Sequence, residues 1–98
     1  MTKSVQRLRV KDGMLDEYKR RHDEIWGDML DLMRQCGIRN YTIWSFDGDL
    51  FAYCEIEDEA VCKSLLRESE VKRKWDEYMS DIITLDETDA RLMFEFNQ

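Results

Sequence analysis

The spacing of apolar positions changes register several times along the chain. Residues 4–10, SVQRLRV, alternate imperfectly between apolar and polar and run into the turn signal Lys11-Asp12-Gly13, which predicts a first strand. From Met14 to Cys36 the apolar period lengthens to that of a helix, and Gly37 supplies a stop. NYTIWSF and LFAYCEI are rich in β-branched and aromatic residues and flank Asp47-Gly48-Asp49, the pattern of a hairpin. Asp58 and Glu59 then open a second helical region, in which Val71, Trp75, Tyr78, Met79 and Ile82 recur every three or four residues. RLMFEF reads as a closing strand. The order βαββαβ predicts an α+β domain of ferredoxin-like type, with both helices on one face of a four-stranded antiparallel sheet.

The strands carry a second message. A sheet with one wet face alternates apolar with polar, yet IWSF, LFAY and LMFEF place large apolar side chains at successive positions. Both faces are therefore expected to be covered. Two helices cover one, so the other is expected to pack on a second copy, giving a two-fold homodimer with a partly enclosed space between the sheets for a small molecule.

Composition narrows the function. Ninety-eight residues make one domain, and 43% hydrophobic with 38% charged residues suits a folded chain. Twenty-two acidic against fifteen basic residues leave a net charge of -7, which repels polyanions and argues against nucleic acid. With no leader-like start and no run near the roughly 18 apolar residues of a membrane span, a cytoplasmic location is expected. Cys36, Cys54 and Cys62 form no CxxC pair, the glycines form no phosphate loop, and one histidine cannot anchor a metal cluster, so neither cofactor nor metal is expected.

That one histidine, His22, lies in EYKRRHDEIW. On a helix spanning residues 14–36 it shares an arc of roughly 120° with Met14, Tyr18, Ile25, Trp26, Met29, Leu32, Met33 and Cys36. Two readings stand side by side. In one, His22 is a core residue whose ring hydrogen-bonds a backbone carbonyl or the Tyr18 hydroxyl. In the other it is a general acid or base, since imidazole titrates near neutrality, and Tyr18 and Trp26 at i−4 and i+4 offer a hydroxyl and an aromatic plane to the same ligand.

Taken together, EYKRRHDEIW, NYTIW, LFAYCEI and KRKWDEYMSDI resemble the L-rhamnose mutarotase family over roughly residues 3–83, and more weakly over the last strand. The resemblance implies a dimeric α/β barrel that interconverts the α and β anomers of a free 6-deoxy-hexose without metal or cofactor. It implies His22 as the acid, Tyr18 and Tyr41 as sugar-contacting tyrosines, and Trp75 as the first of two adjacent tryptophans in the pocket; Trp26 joins them as a substrate-binding candidate on the spacing alone. Asp76 stands where the family has its second tryptophan, and TLDETDA lacks the Asn-Pro-Asp-Asn-Ser-Pro type loop of rhamnose members. Both departures bear on the sugar, since relatives acting on L-fucose resemble this chain in following Trp with an acid. A binding module on the same paired fold, or a haem-handling enzyme using His22 as axial ligand, are the alternatives from other classes.

Overall fold

The computed structural model of the chain describes residues 1–85 and 89–97. Its strands are β1 (Thr2–Val10), β2 (Ile38–Phe46), β3 (Asp49–Ile56) and β4 (Ile83–Leu85), joined in one antiparallel sheet of order β2-β3-β1-β4. Each of the two connections between parallel strands is a pair of short helices: α1 (Leu15–Asp23) with α2 (Gly27–Gln35), and α3 (Glu59–Glu68) with α4 (Glu70–Met79). This is the expected ferredoxin-like arrangement, with each long helix divided in two.

Local chemistry accounts for several of the joints. Asp47 (φ 55°) and Gly48 (φ 86°) are both left-handed between the paired residues Phe46 and Asp49, the two-residue turn whose twist suits a hairpin. Gly37 ends the first connection at φ 69°, and a Cβ there would meet the Glu57 Cβ at 3.1 Å, so only glycine fits both the backbone and the space. Asp58 caps α3 by accepting from the Val61 amide at 3.1 Å. Ser69 is extended and serves two helices: it ends α3 and caps α4 by accepting from the Lys72 amide at 3.1 Å.

Two expectations are corrected. The helix expected over 14–36 breaks after Asp23, because Trp26 is extended (ψ 141°) and α2 restarts at Gly27, so Trp26 is not the i+4 neighbour of His22 on one continuous helix. The strand expected at RLMFEF is not there. Ile83–Leu85 takes the edge beside β1, pairing Val10 with Ile83 and Leu8 with Leu85, whereas residues 89–97 have no regular secondary structure and expose Leu92, Met93, Phe94 and Phe96. β propensity in RLMFEF did not decide the pairing; the short reach from α4 through Ile82, fully buried, did. Of the TLDETDA segment, residues 86–88 lie outside those described.

The core lies between the helices and one sheet face. Leu8 and Leu50 are buried there with Tyr18, Met29, Leu32, Cys36, Cys62, Trp75, Met79 and Ile82. By alternation Val5, Phe51, Trp44 and Phe46 point the other way, and they are exposed by 50%, 39%, 68% and 74%. Gly37→Ala should destabilise the chain by about 1–3 kcal/mol without changing its secondary structure, measured as the shift of the urea midpoint against wild type.

Candidate functional site

α1 carries Tyr18 and His22 one turn apart, and their rings stack with centroids 4.3 Å apart. His22 Nδ1 lies 3.2 Å from the backbone carbonyl of Tyr18, one turn back on α1. A carbonyl oxygen only accepts, so Nδ1 carries the hydrogen and the neutral ring keeps its lone pair on Nε2. Burial lowers the His22 pKa from its ordinary value of 6.5, and the bond to the Tyr18 carbonyl offsets part of that. At pH 7 the imidazole is neutral.

α4 supplies the opposite wall. Trp75, 7% exposed, meets the His22 ring edge-on at 5.4 Å and the Trp26 ring edge-on at 5.1 Å. Tyr78 completes this group, 5.4 Å from Trp26 and 5.7 Å from Trp75. The break in the first helix is what brings Trp26 to this position. Freed from the continuous wheel, it turns its half-buried ring onto α4.

Tyr41 enters from β2. The pairing of β2 with β3 slips between Arg39 and Thr42, where Asn40 is left-handed (φ 53°) and donates to the Glu55 carboxylate at 2.9 Å. Tyr41 lies two residues before Ile43, which pairs with buried Ala52, so it shares the helix-covered side. Burial raises the Tyr41 pKa; burial, then the neighbouring Tyr41, raises that of Tyr18 well above its ordinary 10. Neither phenol ionises near neutrality.

The structure thus brings together Tyr18, His22, Trp26 and Trp75, with Tyr41 adjoining Tyr18. It does not add Asp76, whose side chain is 57% exposed and forms an ion pair with Lys72 one turn back on α4. The site also lies on the helix side of the sheet. His22 was expected at the rim of a space between two sheets; its ring lies instead with Tyr18 and Trp75 on the side away from Trp44 and Phe51. Two clefts occur elsewhere, about 250 Å³ beside Gly37 and Glu57 and about 210 Å³ beside Val5 and Phe51, and His22 lines neither.

Two participants escaped the sequence reading, Tyr78 and Arg21. The Arg21 guanidinium donates to the Tyr78 carbonyl at 2.7 Å, to Asp81 at 2.8 Å and to Glu17 at 2.7 Å, and sits 4.5 Å from the centre of the Tyr78 ring. Only 10% of its side chain is exposed. It ties the end of α1, and with it His22, to the end of α4. Its signal in the sequence is faint: a basic residue one position from the apolar stripe, where snorkelling is the ordinary outcome. The hydrogen bonds from Arg20, and then from Arg21, hold the Glu17 carboxyl down to about 2.

A family model described as L-rhamnose mutarotase matches residues 3–95. The chain belongs to the L-rhamnose mutarotase family. Within it, the L-rhamnose mutarotase of Listeria monocytogenes serovar 1/2a is 40% identical over 73 residues, covering 72% of this chain and 69% of that one. That of Tolumonas auensis is 40% identical over 78 residues, covering 78% and 74%. Among solved structures, L-rhamnose mutarotase from Formosa agariphila superposes with a TM-score of 0.85 over 99% of this chain and 100% of that one, at 21% identity. Tetracenomycin F2 cyclase from Streptomyces glaucescens superposes at 0.74 with 15% identity over 100% and 99%, a likeness of fold alone. Among the described residues no group of three metal-binding side chains occurs, and no helix is long and apolar enough to cross a membrane.

Arg21→Met keeps length but removes every one of these polar contacts. It should lower the thermal midpoint by several degrees and shift tryptophan fluorescence to the red as Trp26 and Trp75 loosen, whereas Arg20→Met, on the exposed side, should do neither.

Proposed function

We propose that the protein is an isomerase that interconverts the α and β anomers of L-rhamnose, with His22 as the proton carrier. The observation that carries the reading is the half-buried imidazole whose Nδ1 is committed to the Tyr18 carbonyl, leaving Nε2 as a base at neutral pH. Mutarotation moves one proton between two oxygens on the same carbon. Nε2 takes the proton of the anomeric hydroxyl as the bond from C1 to the ring oxygen breaks, and the imidazolium so formed donates it to that ring oxygen. The open aldehyde turns about its C1–C2 bond, and the steps run backwards on the other face. The expected acid role of His22 is the second half of this relay.

Tyr18 and Tyr41 stay protonated, so their part is to orient the anomeric hydroxyl rather than to remove its proton. Trp75 backs the imidazole, and the more accessible Trp26 offers an apolar plane to the sugar. Asp76, held by Lys72, lends no particular support to L-fucose, and L-rhamnose follows the family. Two copies pair through the sheet face of Val5, Trp44, Phe46 and Phe51, helped by the exposed segment 92–96, whose Glu95 lies against Lys3 on that same face. The free thiols Cys36, Cys54 and Cys62 suit the reducing cytoplasm.

Saturation-transfer proton NMR on equilibrated L-rhamnose reads the exchange directly. Wild type should exchange the anomers faster than buffer, and His22→Ala should lose about 10²- to 10⁴-fold of that while keeping its fold. Because the neutral ring starts the relay, kcat/KM should fall as pH drops through a pKa below 6.5 and stay level above it. A rate that climbs on acidification, after subtracting buffer, refutes the relay. Light scattering should give twice the chain mass, reduced to one chain by Trp44→Glu with Phe46→Glu.

A further inference from the structure

The continuous pairing of β1 with β3 from Thr2 to Arg9 fixes which β1 side chains face the helices: Ser4, Gln6, Leu8 and Val10. Leu8 is buried, and Ser4 and Val10 are half-buried, as a covered face requires. Gln6 is exposed. Among the described residues β4 pairs with β1 only at Leu8, Arg9 and Val10, so Gln6 lies where the edge of the sheet is open and its side chain is reached from that edge. Opposite Gln6 in register is Ala52, the smallest side chain of β3, which pairs in turn with Ile43 on β2. One step along the same face, Ser4 pairs with Cys54. Tyr41 too is exposed, by 41%.

Gln6 is a poor choice for a core position, since a carboxamide without a partner costs free energy on burial. Among the described residues its carboxamide has no hydrogen-bond partner. It is a good choice for a ligand with hydroxyls, because one planar group both donates and accepts. α1 brings Tyr18 and His22 onto this face and α4 brings Trp75, so a ring whose anomeric carbon lies at His22 and which extends toward the open edge of β1 has Gln6 at its far side.

We propose that Gln6 is a substrate-binding residue that sets specificity, its carboxamide bonding the cis pair of hydroxyls of the sugar held at His22. This rests on the mutarotase reading. In L-rhamnose the cis pair is at C2 and C3, next to the anomeric carbon; in L-fucose it is at C3 and C4, one carbon further away. A carboxamide fixed on a strand, at a set distance from the imidazole, reads that difference as a difference in affinity.

The test compares wild type, Gln6→Leu and Gln6→Ala for anomer exchange of L-rhamnose and L-fucose, with circular dichroism to verify the fold; the position is exposed, so both variants should fold. Leucine keeps the volume and removes the hydrogen bonds. The expected result is a KM for L-rhamnose raised roughly 10- to 100-fold in both variants, the loss falling on KM rather than kcat, and a smaller change for L-fucose, so that the preference narrows. In wild type, one side-chain amide pair that is missing from the spectrum of Gln6→Ala should shift on adding L-rhamnose. Unchanged KM and preference in variants of an active enzyme overturn the role of Gln6 alone. A wild type that exchanges neither sugar overturns the mutarotase reading and this role with it.

Discussion

The hydrogen bond between His22 Nδ1 and the Tyr18 carbonyl, 3.2 Å long, decides both what the imidazole is and where it points. It sets the tautomer, so that the basic nitrogen faces away from the helix that carries it. The carbonyl it uses lies one turn back on the same helix, the i−4 position that a helical side chain reaches. Partial burial then keeps the ring neutral at physiological pH. The break after Asp23 acts on the surroundings of the ring: it takes Trp26 off the helix and sets it edge-on against Trp75, which meets the His22 ring edge-on in turn.

The break has to be held open, and the aromatic cluster with Arg21 does this. Trp26 docks edge-on against Trp75, and Tyr78 lies against both. Arg21 binds the Tyr78 carbonyl, Asp81 and Glu17 together. The rings stabilise by apolar burial and edge-to-face contact, worth about 0.5–1.5 kcal/mol per ring pair beyond the area. The guanidinium adds direction, since three polar partners and one ring face allow it a single pose. The result joins the ends of two helices that the topology alone would leave to lie side by side.

Features set by a few adjacent residues were legible in the sequence. Asp47-Gly48 as a hairpin turn, Gly37 as a stop and Asp58 as a cap each depend on a backbone angle or a short side chain. The order of the first strands and helices was legible as well, and so was the pairing of Tyr18 with His22, one turn apart on α1. Features set by distant packing were not legible. Nothing in the period of residues 14–36 changes at Trp26, because its apolar ring suits a helix face as well as a docked turn. RLMFEF has every local mark of a strand, yet the edge of β1 beyond Leu8 was already taken by Ile83–Leu85, which α4 delivers directly. Which side of the sheet carries His22 was not legible for a related reason: exposed aromatics on β2 and β3 signal a covered face and say nothing of where the imidazole packs.

Because His22 is the only histidine, nitrogen-15 NMR of the labelled protein reports this one ring without ambiguity. At pH 7 the spectrum should show a neutral ring protonated at Nδ1, titrating with a pKa below 6.5, with Nε2 shifting when L-rhamnose is added. A ring protonated at Nε2, or one still charged at pH 7, would contradict the account at its base.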